Sequence, residues 1–192
     1  MENKRNYSEV EFVKNFVAVY KANGGDADSL AKRTVGNNGY SVGQQFTLTG
    51  EILVKENDIN GTKQTYLVLP TQEGTDLSLM SLMGVSSLKG YDMNNEIEVQ
   101  YLDGTNTLTR KVKTEVIAGF DFNDVFKPAS RNFLEFAGMI AEKEIDLKGK
   151  IATFLGTAVK PITAKKDSDG KSIEKFKKGF SRAIETKLWS II

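Results

Sequence analysis

The feature that most constrains the fold is the alternation of apolar and polar residues in short segments of the middle of the chain. The clearest case is residues 96–101 (EIEVQY), in which every second residue is apolar. Side chains of a strand point alternately to its two faces, so this pattern predicts a half-buried strand. Asp103-Gly104 then predicts a tight turn, and residues 107–117 predict the return strand. The sequence therefore predicts antiparallel hairpins.

The same reasoning extends to the rest of the β region. We predict strands near residues 45–55, 63–69, 96–102, 107–117, 150–155 and 157–166. Within the first strand, Gly50 interrupts an apolar row, which predicts a bulge or a sharp bend. The last two strands are predicted as a pair that breaks around Gly156. Residues 71–94 fit a strand or a short helix equally well.

Helical spacing occurs at both ends of the chain and once inside it. We predict helices near residues 8–22, 130–143 and 172–188. Ser8 and Glu11 have the spacing of a capping box, which predicts the start of the first helix. The last helix is predicted from apolar residues at steps of three and four, namely Ile173, Phe176, Phe180, Ile184 and Leu188.

These elements predict a mainly β protein with flanking helices, of the α+β class. The predicted organisation is an N-terminal helix with a mobile connection over residues 1–44, a β-barrel domain over 45–170 and a basic amphipathic helix over 171–192. At 192 residues and 40% hydrophobic content, the chain has enough apolar side chains for a packed core.

The chain contains neither cysteine nor histidine. Disulfides, thiolate nucleophiles, a structural zinc site and a Ser-His-Asp triad are therefore excluded. Paired aspartates occur beside Gly, Asn or Ser, where Asp is favoured simply for turning the chain. We predict no cofactor and no enzymatic activity, although an enzyme that uses Asp, Glu, Lys or Tyr remains an alternative. No stretch reaches the ~18 apolar residues of a membrane-spanning helix, so we expect no membrane and a cytoplasmic setting.

The net charge of +1 hides an uneven distribution along the chain. Residues 148–192 contain 11 Lys and Arg against 4 Asp and Glu, a net charge of +7, so residues 1–147 carry a net charge of −6. Such asymmetry favours an anion-binding surface or an acidic partner, and a solvated basic face is the alternative.

Aromatic and basic residues coincide in the predicted strands and the predicted C-terminal helix. Single-stranded nucleic acid is bound when bases stack on exposed aromatic rings and cations follow the phosphates. The candidate nucleic-acid-binding residues are Tyr66, Lys111, Lys113, Lys150, Phe154, Lys160, Lys165, Lys166, Lys177, Lys178 and Arg182. Since most strand aromatics belong to a core, we expect only one or two of Phe46, Tyr66, Tyr101 and Phe154 to be exposed.

The order of the elements resembles the OB-fold of single-stranded DNA-binding proteins of bacteria and phages. The similar segments are VGQQFTLTGEILVKE for a long first strand bent at Gly50, YLVLP for the second strand, SRNFLEFAGMIAEKE for the interposed helix and KGKIATFLGTAVKPITAKK for the closing pair. The resemblance covers about residues 42–166 and implies a Greek-key β-barrel that binds oligonucleotides.

We therefore expect a non-enzymatic single-stranded DNA-binding protein with an OB-like barrel. The alternative is a structural or assembly subunit, for example of a phage virion, that docks through its terminal helices and self-associates through the C-terminal one.

Overall fold

The structure, a computed structural model, describes residues 5–26, 39–83, 86–92, 96–113, 133–161 and 180–192. Within these residues the protein is a mixture of helix and strand with two antiparallel sheets. The helices are α1 (Glu11–Ala22), α2 (Leu79–Leu82) and α3 (Phe133–Ala141). The strands are β1 (Gln45–Thr47), β2 (Leu53–Ile59), β3 (Thr62–Pro70), β4 (Asp76–Ser78), β5 (Ser86–Asp92), β6 (Glu96–Asp103), β7 (Asn106–Lys113), β8 (Ile151–Pro161) and β9 (Phe180–Ile191).

The larger sheet is built around β8. Its strand order is β5-β9-β8-β6-β7, and the short β1 pairs with the beginning of β8. Strand β9 lies between β5 and β8 over positions 183–186, so its backbone is paired on both sides. The smaller sheet has the order β2-β3-β4.

Gly50 produces the bend that separates β1 from β2. Its φ of +84° lies in the left-handed region, where a side chain is disfavoured. A Cβ built at this position would lie 2.9 Å from both the Cβ and the backbone N of Lys148. The bend that Gly50 predicted is therefore confirmed, whereas the continuous strand over residues 45–55 is wrong, because the chain changes sheets between Thr47 and Leu53.

One hydrophobic core joins the helices to both sheets. Its side chains include Phe16 and Tyr20 of α1, Leu67 of β3, Phe136 of α3 and Trp189 of β9. Helix α1 begins after a short 3-10 turn, Tyr7–Glu9, in which the Asn6 side chain accepts a hydrogen bond from the Ser8 N–H at 3.2 Å. The predicted Ser8 capping box is therefore wrong, and no side chain caps α1 at Val10.

The predicted C-terminal helix is wrong over residues 180–188. This segment is the greater part of β9, and the rest of the predicted helix lies outside the described residues. A spacing of four residues, as between Phe180, Ile184 and Leu188, returns to the same side of a strand as well as of a helix. The apolar row was therefore compatible with both structures.

The predicted strand pair at residues 150–166 is also wrong, because residues 151–161 form one continuous strand, β8. Instead of a turn at Gly156, there is a register shift between Phe154 and Gly156, which is the signature of a β-bulge. Since β8 pairs with β1, β6 and β9 rather than with its own continuation, the closing pair of an OB-fold is not formed by the described strands.

No closed barrel is found among the described strands, so the OB-like barrel is not confirmed. The coarser expectation, an α+β protein with antiparallel strands, is confirmed. No helix in the described part of the chain is long and apolar enough to cross a membrane.

Candidate binding surfaces

A continuous run of exposed residues forms the outer part of the β2–β3 hairpin, residues 55–64, here called the ribbon. All ten residues are exposed, so both faces of the hairpin meet solvent. The strands are joined by Asn60 and Gly61, whose φ values of 53° and 79° are those that a tight two-residue hairpin loop requires. The Gly61 N–H donates to Oδ1 of Asp58 at 2.8 Å, which closes the loop.

The base of the ribbon forms polar contacts with the rest of the protein on two sides, at Asn23 after α1 and at Asp76 of β4. Nδ2 of Asn23, which follows α1, donates to Oγ1 of the buried Thr65 at 2.6 Å and to Oε2 of Glu56 at 3.2 Å. Nζ of Lys55 lies 2.6 Å from Oδ2 of Asp76 in β4, and this hydrogen-bonded ion pair raises the pKa of the lysine. These contacts fix the direction in which the ribbon leaves the body.

The ribbon carries equal numbers of positive and negative side chains. Its charged residues are two lysines and two acids, Lys55, Glu56, Asp58 and Lys63, so its net charge is zero. Ile59 is its one aliphatic side chain and is 48% exposed beside the loop. Within the described strands β2 has β3 as its sole neighbour, so the other edge of β2 presents unpaired backbone groups.

Phe154, predicted to stack on bases, is instead part of the core. Its side chain is 3% exposed, and its ring centroid lies 5.2 Å from that of Trp189 and 5.6 Å from that of Tyr40. Nζ of Lys187 lies 5.3 Å from the Phe154 centroid and 5.7 Å from the Tyr40 centroid. The assignment of Phe154 to a nucleic-acid site is therefore wrong, because hydrophobic burial places the ring beneath other side chains.

Tyr66 and Lys150 are separated between the two sheets. Tyr66 lies in β3, is half-buried, and faces Lys55 across the hairpin. Lys150 is exposed immediately before β8 in the larger sheet. The structure therefore does not bring Tyr66 into the sheet that carries Lys150.

The backbone register places Lys111 opposite Glu98 and Lys113 opposite Glu96 in the β6–β7 hairpin. These two predicted phosphate-binding lysines thus have acidic residues at the directly opposed positions of the neighbouring strand.

Lys160 of β8 pairs with Ile184 of β9, and Arg182 lies two residues away along β9. Positions 160 and 182 therefore share a face on neighbouring strands, about 7–8 Å apart on the diagonal. Arg182 was predicted on a helix, and it lies in a strand instead. Four predicted residues lie outside the described residues, namely Lys165, Lys166, Lys177 and Lys178.

Comparison with known protein families, curated proteins and solved structures found no match to this chain. In the described part of the chain, no three His, Cys, Asp or Glu residues are grouped so that they could hold a metal ion.

The sequence predicts a turn at residues 57–61, but the exposure of both faces of the flanking strands was not predicted, because apolar rows were the basis for placing the strands. Residues 55–64, KENDINGTKQ, contain an Asn-Gly turn signal flanked by polar residues on both faces. A hairpin turn without an apolar row predicts strands that are solvated on both faces, and that signal would have identified the ribbon.

Proposed function

We propose that this chain is a non-enzymatic assembly subunit, and that its ribbon binds another copy of the same chain. The observation that carries the proposal is the run of ten exposed residues at positions 55–64, which contribute nothing to the core.

A hairpin solvated on both faces is marginally stable in water on its own. Here it is held by the Asn23 and Lys55 contacts at its base and by a loop of the favoured type. An extended, pre-ordered ribbon can bind a protein surface at a smaller cost in conformational entropy than a disordered loop. This architecture suits an arm that reaches a neighbouring molecule.

Charge favours a protein partner over nucleic acid for this arm. A ribbon that follows a phosphate backbone needs an excess of cations, whereas this ribbon has a net charge of zero. A whole-chain net charge of only +1 leaves little repulsion between copies, which favours self-association. Helix α1 packs into the core through Val13, Phe16 and Tyr20, so we assign self-association to the ribbon rather than to this helix.

Sedimentation velocity across about 1 to 300 μM protein tests the proposal, since weak assembly contacts have dissociation constants in this range. The Ile59→Asn variant should raise the dissociation constant of self-association about tenfold by removing the exposed apolar side chain of the ribbon. Leu108→Asn, at a 38% exposed position in the other hairpin, is the matched control and should leave association unchanged. Wild-type protein that stays monomeric throughout, or equal effects of the two changes, would contradict the proposal.

Single-stranded DNA binding is the second candidate function. It is favoured by the shared face of Lys160 and Arg182 and by the exposed Lys150, all within the basic part of the sequence. Titration of a fluorescein-labelled oligo-dT at several salt concentrations tests it. If this face binds phosphates, changing both Lys160 and Arg182 to Gln should make the slope of log affinity against log salt shallower by about 1.4, or about 0.7 per contact. An unchanged slope excludes this face from DNA binding.

A further inference from the structure

A groove of ≈ 550 Å³ runs between α1, the end of α3 and the start of β2, and it belongs to none of the surfaces described above. Its volume falls within the range of about 300–1,000 Å³ that is typical of ligand sites. The two helices approach closely beside it, because a Cβ on Gly138 of α3 would lie 3.3 Å from Cγ2 of Val13. The groove is therefore bordered by two packed helices, and the connections before β2 and after α3 complete its lining.

Five of the ten residues that line the groove are apolar, namely Phe12 of α1, Ile52, Leu53 of β2, Ile140 and Ala141. Ile52 and Ile140 are buried, so the accessible apolar surface of the groove comes from Phe12, Leu53 and Ala141. Leu53 is 40% exposed although it begins a strand, so an apolar side chain stands open to solvent at the edge of the groove.

The rim of the groove is acidic. Glu11, Glu51 and Glu142 line it together with Lys143. Arg5 pairs with Glu142 at 2.8 Å, and Nζ of Lys143 donates to the Gly50 carbonyl at 2.8 Å. Glu11 and Glu51 form no ion pair with any residue that the structure describes. Two carboxylates of the lining therefore have no ion-pair partner among the described residues.

We propose that this groove binds a basic amphipathic peptide segment of a protein partner. The apolar side of such a segment packs on Phe12, Leu53 and Ala141. Its lysines or arginines lie over Glu11 and Glu51, which lack a cation in the described structure. An apolar groove with charged residues at its rim is the usual receptor for an amphipathic helix, and the sign of the rim selects a basic one. This surface is independent of the ribbon, so the proposal does not depend on self-assembly.

The test is a fluorescence-anisotropy titration with a fluorescein-labelled peptide of sequence LKKLLKKLLKKLLK. The reference peptide has the same composition in an order that spreads leucine around the helix. We expect the amphipathic peptide to bind at least about tenfold more tightly than the reference, because only its apolar side can enter the groove.

Variants of groove residues test whether the peptide binds at the groove. Changing Glu11 and Glu51 together to Gln should weaken binding about fivefold, since each exposed charge pair contributes modestly. Changing Glu9 and Glu98 to Gln removes the same charge from exposed residues outside both the groove and the ribbon and should have no effect. Leu53→Thr keeps the strand and should also weaken binding about fivefold by reducing the apolar wall.

The proposal is overturned if the reference peptide binds as tightly as the amphipathic one, if the two double variants lose equal affinity, or if no binding occurs up to about 300 μM. If the Glu11 and Glu51 double variant does not fold, Leu53→Thr decides the question alone. Backbone amide shifts of Phe12, Asn15 and Ala141 in the wild-type protein on addition of peptide give a measure that needs no variant.

Discussion

Gly50 illustrates how much of the architecture depends on one backbone position. The chain leaves the larger sheet and enters the smaller one through this residue, at φ +84° and in contact with Lys148. Gly50→Ala should lower the free energy of unfolding by about 3 kcal/mol or more, because left-handed strain of about 1–2 kcal/mol adds to a clash with backbone.

The matched control for Gly50 is Gly61 of the ribbon loop. Its φ is +79°, yet no atom lies within 4 Å of a Cβ built there. Gly61→Ala should therefore cost only the conformational strain of about 1–2 kcal/mol. Urea unfolding of both variants gives the comparison, and equal losses would show that the close approach at Lys148 contributes nothing.

Glu73 predicts a pH dependence of stability. Both of its carboxylate oxygens accept the Thr47 backbone N–H, at 3.0 and 2.9 Å, and this hydrogen bond lowers the pKa of Glu73 below its ordinary value of 4.5. A carboxyl whose pKa is lowered by folding stabilises the protein above the unfolded-state pKa, and loses that contribution as the pH falls through the folded-state pKa.

Glu73→Gln should therefore be less stable than wild type at pH 7, and the difference should shrink as the pH falls below about 4.5 towards the lower folded-state pKa. Thermal unfolding of both proteins over this pH range measures it. A stability difference that stays constant down to acid pH would mean that the charge of Glu73 is not responsible.

At the scale of elements, period-two alternation predicted the β6–β7 hairpin, and the Gly50 bend was visible as a glycine within an apolar row. The C-terminal strand was not predicted, because a four-residue apolar spacing suits both a helix and a strand. Only the pairing of β9 with both β5 and β8 distinguishes them, and that pairing is a long-range property of the fold.

The candidate site was less predictable than the fold. The spacing of Phe154 does not reveal whether its ring faces solvent or Trp189. The groove combines residues of α1, β2 and α3 that are distant in sequence, so no local sequence motif indicates it. The ribbon is the exception, since its Asn-Gly turn and two polar faces are local.

Strand pairing also predicts the relative rates of amide hydrogen exchange in different strands. Amides of β9 at positions 183–186 lie between two neighbouring strands, whereas the ribbon is exposed on both faces. In dilute protein, peptides covering 183–186 should exchange far more slowly than those covering 55–64, because exchange follows local opening. Mass-spectrometric exchange resolves these segments, and equal rates would contradict the central position of β9.

On the scale of the whole molecule, one core joins the three helices to both sheets, the ribbon lies outside this core, and the groove opens beside the core residues Ile52 and Ile140. The charge split of the sequence suggested nucleic acid, but the predicted phosphate-binding residues Lys111 and Lys113 lie outside the basic segment 148–192 and are opposed by Glu98 and Glu96 in the strand register. A balanced ribbon and a net charge of +1 favour assembly.

The most direct test of this account is sedimentation velocity of the chain mixed with fluorescein-labelled oligo-dT, followed separately by protein and dye absorbance. At low salt, where phosphate binding is strongest, we expect protein species that grow with protein concentration while the dye sediments as free oligonucleotide. The opposite result, monomeric protein carrying the dye with it and releasing it as salt increases, would contradict an assembly subunit and establish the nucleic-acid binder instead.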